Sequence, residues 1–186
     1  YQLISGLSDE VSNEDGLFQT TKARLPWLLI GLLGGVLTST VISENESEIT
    51  LIPQIVFFIP LIAAMGGNVG VQSSAIVVQA LANSTLQKNI WQRLARELGV
   101  GLFNGLICSL VIVGYSWAIG QGLLFATAVG SSLLAVVLFA SLFGTAIPWI
   151  LNKYNIDPAL ATGPFITTTN DVLGLSIYFA IANALL

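Results

Sequence analysis

Histidine is absent from the sequence, and Cys108 is its single cysteine. One cysteine cannot form a disulfide within the chain, so no disulfide framework organises the fold. A structural zinc site of the usual Cys/His kind is excluded as well. Any bound metal must be held by oxygen, which favours hard cations such as magnesium, calcium or manganese. Charge is also scarce. Only 9% of the residues are Asp, Glu, Lys or Arg, against about 25% in a typical soluble domain. Residues 1–19 lack the basic start and long apolar core of a cleavable signal peptide. What the chain has instead is apolar length, with 54% hydrophobic residues and a mean hydropathy of +0.83. The class that fits is an all-α integral membrane protein with no room for a large soluble domain.

A spanning helix needs ~20 mostly apolar residues. Five spans are expected, over residues 25–43, 51–82, 98–119, 123–151 and 158–186. Only Gly120, Gln121 and Gly122 separate the third from the fourth, which makes those two an antiparallel hairpin. The division expected is a cytoplasmic leader or connecting helix over residues 1–24, followed by a five-helix membrane domain over 25–186. Ser12 or Asn13 could cap a short helix running into Pro26. The acidic leader reads either as a solvated segment or as the tail of a soluble domain outside this sequence.

The six basic residues fall in three places. Lys22 and Arg24 precede the first span, Lys88, Arg93 and Arg96 lie between the second and third, and Lys153 lies between the fourth and fifth. With five spans these places share one side of the membrane. The opposite loop carries Glu44, Glu46 and Glu48 and no base. The positive-inside rule then puts the N-terminus in the cytoplasm and the C-terminus outside, in a plasma (inner) membrane. The net charge is −4, and no nucleic-acid partner is expected.

Once the loop charges are set aside, one carboxylate is expected within a span: Asp171, near the middle of the fifth. A charge at that depth costs ~2.5–3.5 kcal/mol on insertion scales, and such residues mark ion pathways. The bland alternative is a protonated Asp bonded to a neighbouring helix. Gly163, Thr167 and Asp171 are spaced to share one helix face. Pro164 would free the carbonyl of Leu160, and Thr167, Thr168, Thr169 and Asn170 add oxygens to the same lane. Asp157, before Pro158, is either a helix cap or part of a charged ring at a pore mouth.

The second span contains PLIAAMGGNVGVQ, residues 60–72. Gly66 and Gly70 form a GxxxG pair, a close-packing motif that recurs at Gly31/Gly35 and Gly101/Gly105. Gly67 thins the same helix further. Asn68 and Gln72 share a helix face, and polar groups at membrane depth are tolerated where they line a wet cavity. The second and fifth spans alone carry a dense polar stripe, so those two are expected to line a hydrated path. A two-fold dimer would bring two Asp171 carboxylates to one axis, matching a divalent cation. Magnesium, which keeps several waters when bound, suits such a site.

These residues resemble the MgtE family of magnesium channels and transporters. PLIAAMGGNVGVQSS resembles the signature of its second helix, DPALATGPFITTTNDVLGLSIYF its fifth, and KARLPWLL the approach to its first. The resemblance covers all five spans in order. It implies a homodimer in the lipid bilayer with a pore at the dimer interface, built from the second and fifth helices. It also implies that hydrated magnesium is the transported ion, with manganese, cobalt or calcium able to bind in its place. The central aspartate of the family matches Asp171. Its backbone-carbonyl partner matches Thr167, the position a turn earlier Gly163, the pore-lining asparagine Asn68 and the acidic mouth residue Asp157. Gly66, Gly67, Gln72, Pro164, Thr168 and Asn170 are expected to line the path. Members usually carry cytosolic N and CBS domains that close the pore when magnesium is abundant. These are expected outside this sequence, with residues 1–16 resembling the exit from the last CBS domain and the connecting plug helix. Glu14 and Asp15 are candidates for the regulatory magnesium site near that junction.

The function expected is therefore a magnesium-selective channel into the cytoplasm rather than an enzyme. A sodium- or proton-coupled divalent-cation transporter is one alternative, and a non-conducting membrane scaffold is another. A scaffold would not need Asp171. An intramembrane enzyme fits least, because Asp157 and Asp171 lie roughly 21 Å apart along one helix.

Overall fold

The structure, a computed structural model, describes residues 16–83, 90–161 and 163–186. They form α1 (Leu17–Glu44), α2 (Glu46–Leu51), α3 (Ile55–Ala82), α4 (Ile90–Ala118), α5 (Leu123–Lys153), a 3-10 turn (Pro158–Ala161) and α6 (Pro164–Leu185). No strand occurs among the described residues. Five helices, α1, α3, α4, α5 and α6, are long and apolar enough to cross a membrane. This all-α, multi-pass arrangement agrees with the sequence reading.

The centre of the bundle is α5, whose buried side chains include Val129, Leu133, Val136, Val137 and Ala140. Ile55, Phe58 and Ile62 of α3 and Leu175, Tyr178 and Phe179 of α6 complete the apolar core. Tyr178 crosses that core, and its hydroxyl donates to the Ile55 carbonyl at 2.9 Å. The pairing satisfies a phenol that would otherwise be stranded in an apolar interior. The α4–α5 hairpin turns through Gly120 (φ +84°) and Gly122 (φ +82°), a backbone region that side chains rarely adopt. Gly101 and Gly105 of α4 then lie against Ser141, Leu134 and Val137 of α5. α1 packs on α6, with Gly34 against Thr168. Gly31 and Gly35 of α1 face open space, so that GxxxG pair packs on nothing among the described residues.

Four boundaries differ from those expected. First, α1 is continuous from Leu17 and carries Pro26 in its interior, in place of a short helix ending there. Proline removes only one helical hydrogen bond, and a long spanning helix absorbs that loss. Second, Leu51 ends the short α2, and α3 starts only at Ile55, after Pro53. Ser47 of α2 donates to Glu48 Oε2 at 2.7 Å, which holds that carboxyl below its ordinary value. Third, α4 begins at Ile90, eight residues before the expected start, which places Glu97 well inside the helix. Charge made those residues look like loop, but a long helix carries charges in its first turns where packing shields them. Fourth, the fifth span is broken. Pro158–Ala161 forms its own 3-10 turn, and Gly163 (φ +57°, ψ −131°) starts α6 at Pro164. The polypeptide from residue 158 is therefore not one helix.

Candidate functional site

The α3 helix meets α6 through its glycines. A Cβ on Gly67 would stand 3.1 Å from Thr167 Cγ2 and 3.6 Å from Asp171 Oδ1. A Cβ on Gly66 would stand 3.2 Å from Val136 Cγ1 and 3.5 Å from the Asn170 carbonyl oxygen. Gly70 admits the Asn170 amide and Ile166 from α6 on one flank, and Gly144 of α5 abuts its backbone. Removing side chains from α3 thus lets two helices approach its backbone at one level.

The polar residues divide between two faces. Pro60, Ala64, Asn68, Gln72 and Ile76 of α3 are all exposed at four-residue spacing, so Asn68 and Gln72 sit on an open stripe of the protomer. Thr167 and Asp171 of α6 are half-buried beside that stripe. Asp171 has no ion-pair partner among the described residues. Asn170 is different: it is buried against Gly66 and Gly70 of α3, and neither atom of its amide has a hydrogen-bond partner among the described residues. Thr168 faces α1 at Gly34. Gly66 and Gly67 are buried in helix contacts rather than open.

The start of α6 has a local logic that linear spacing missed. Gly163 is the residue before the helix. Its carbonyl accepts both the Thr167 backbone N–H, at 3.1 Å, and the Thr167 hydroxyl, at 3.1 Å. Both donors come from one residue, Thr167. Pro164 is the first helical residue, where its missing N–H would have been unpartnered in any case. It frees no carbonyl of Leu160, which belongs to the separate turn. Asp171 lies about 10 Å along α6, two turns in and before its midpoint.

Asp157 is exposed, and its Oδ1 accepts the Ala159 N–H at 2.9 Å, capping the 3-10 turn. It borders a cavity of about 810 Å³ together with Gln79 and Asn83 at the end of α3 and Asn152 at the end of α5. Among the described residues no group of three or more His, Cys, Asp or Glu gathers in one place. An ion here would meet isolated carboxylates, amides and carbonyls, a donor set suited to a hydrated hard cation. Glu14 and Asp15 lie outside the described residues.

Glu97 escaped sequence reasoning. It was counted with the loop charges, yet it is 7% exposed and inside α4. The signal that could have found it is spacing: Arg93 and Glu97 stand one turn apart, as paired charges on a helix do.

The fold defines an all-α, multi-pass membrane protein. The MgtE family model, described as a divalent cation transporter, matches residues 59–181, and the chain belongs to that family. It is 38% identical over 179 residues to the magnesium transporter MgtE of Thermus thermophilus, covering 96% of this chain and 40% of that protein. It is 35% identical to the Bacillus subtilis magnesium transporter MgtE, covering 99% of this chain and 41% of that protein. A third relative, the magnesium transporter MgtE of Enterococcus faecalis, is 34% identical over 98% of this chain and 40% of its own length. The chain thus spans about 40% of the length of the relatives it matches.

Proposed function

We propose that this chain is the membrane domain of a magnesium channel, and that hydrated magnesium moves along α3 and α6 at the interface of two copies. The observation that carries the reading is the open stripe on α3. Asn68 and Gln72 are exposed beside the half-buried Asp171, in the middle of a largely apolar helix. Amides in hydrocarbon are costly, so such a stripe is stable only against water or another protein surface. A two-fold copy set against it supplies both, with two Asp171 carboxylates near one axis facing one divalent cation.

Asp171 is the charge that holds the ion, and Asn68, Gln72 and the Thr167 carbonyl bond to the water shell. Magnesium sheds that shell reluctantly, so a site that keeps the waters avoids the cost of stripping them. Asp157 and the neighbouring amides concentrate cations at the cytoplasmic mouth. The bases at the starts of α1 and α4 and at the end of α5 support a cytoplasmic position for that mouth, by the positive-inside rule. The family names of the relatives support magnesium as the substrate.

The test is magnesium influx into liposomes holding the purified chain, beside Asp171→Ala and Asp171→Asn. Flux in the unaltered chain that collapses in both variants is the expected result. Variants that conduct like the unaltered chain would remove Asp171 from the path.

A further inference from the structure

Glu97 is a carboxylate 7% exposed on α4, at the flank of α3. Ser73 Oγ of α3 donates to its Oε1 at 2.6 Å, and both residues are buried. Arg93 Nη2 stands 3.6 Å from Oε2, one turn earlier on the same helix. Arg93 Nε is buried with no hydrogen-bond partner among the described residues. The carboxylate is therefore shared between a serine across the helix interface and a guanidinium on its own helix. A charge-assisted bond of this length is among the stronger hydrogen bonds available in a protein.

The position of Ser73 gives that bond a consequence. It follows Gln72 directly, and at about 100° per residue it stands roughly a third of a turn from the Asn68–Gln72 stripe. The glycine contacts of α3 to α5 and α6 at Gly66, Gly67 and Gly70 carry no side chains on the α3 side. The rotation of α3 about those glycines is set by the buried side chains that flank them, Ile62 before and Val77 after, and by any directional bond between the two. A directional bond from the neighbouring helix restricts rotation.

We propose that Glu97 is a positioning residue for the transport path: through Ser73 it fixes the rotation of α3, and so keeps Asn68 and Gln72 aimed at the ion. The inference rests on the reading of α3 as a path-lining helix. Arg93 holds the second carboxylate oxygen, Oε2, at 3.6 Å, while Ser73 holds the first. Glu97 itself touches no ion.

The experiment is single-cysteine labelling in proteoliposomes with Cys108→Ser as background and a small, charged, membrane-impermeant thiol reagent as probe. Probes are introduced one at a time at Gln72→Cys on the open stripe and at Val69→Cys and Val71→Cys on its two half-buried flanks. Each is combined with Glu97→Ala, Ser73→Ala or Glu97→Gln. With Glu97 and Ser73 intact, Gln72→Cys reacts rapidly and the flanks slowly. In Glu97→Ala and Ser73→Ala the Gln72→Cys rate falls on the order of tenfold and one flank gains reactivity, as loss of one hydrogen bond to a charged group would produce. Glu97→Gln retains an acceptor for Ser73 and restores the original pattern. A general loss of packing would raise all three positions together. If Glu97→Ala does not assemble, Ser73→Ala carries the same expectation from the other end of the bond. An unchanged pattern in Ser73→Ala overturns the positioning role and leaves the path standing. A Gln72→Cys that is inert with Glu97 and Ser73 intact overturns the path, and the positioning role with it.

Discussion

Gly67 of α3 lies against Asp171 of α6, near enough that a methyl group on the glycine would stand 3.6 Å from the carboxylate oxygen and 3.1 Å from Thr167 Cγ2. The first distance is an ordinary contact and the second is tight. Gly67→Ala should therefore fold, displace α6 by a few tenths of an ångström and lower magnesium flux several-fold. Gly67→Leu should abolish flux, because its side chain must occupy the space beside Asp171. Flux assays paired with thermal unfolding in detergent check this. A leucine variant that conducts normally would separate the Gly67 contact from the path.

Gly144 is the most demanding glycine of the bundle. Its added Cβ would fall 2.5 Å from the Gly70 carbonyl oxygen, which is backbone and cannot step aside. Gly144→Ala should cost about 1–3 kcal/mol, as overpacking does. Gly31→Ala and Gly35→Ala meet nothing within 4 Å among the described residues and serve as the contrast. Unfolding midpoints of monomeric protein in detergent should fall for Gly144→Ala and hold for the other two.

Gly163 holds a positive φ of +57° immediately before α6. An L side chain there is strained by about 1–3 kcal/mol. Gly163→Ala should lower stability and flux together, because the start of α6 sets the height of Thr167 and Asp171. Restoring flux by adding magnesium alone would argue against that coupling.

Tyr178→Phe removes the hydroxyl that reaches the Ile55 carbonyl. The expected loss is about 1 kcal/mol of stability. Magnesium selectivity should not change, since the pair lies in the apolar core away from Asn68 and Asp171. Unfolding and ion-competition assays on the same preparation read both.

Passive conduction predicts currents that reverse at the magnesium equilibrium potential, whatever the proton or sodium gradient. A reversal potential that moves with either gradient would favour coupled transport.

Much of this protein was legible before any helix was placed. The scarcity of charge and the apolar runs determine a five-helix membrane protein, because backbone in lipid must bond to itself. The glycines near Asn68, and Asp171 alone in an apolar segment, marked α3 and α6 as the helices to watch. Spacing could not reveal where α6 begins. The break at Gly163 is a backbone conformation, and it moved Asp171 toward one end of its helix and tied up the Gly163 carbonyl. Asn170 and Asp171 are neighbours in sequence, yet one is buried against α3 and the other is half-buried beside the open stripe. Adjacent residues on a helix point about 100° apart, and only packing decides which direction is inward. The same holds for Glu97. Sequence left it among the loop charges, and tertiary structure alone brought Ser73 to it, because a contact between residues on different helices depends on how those helices dock.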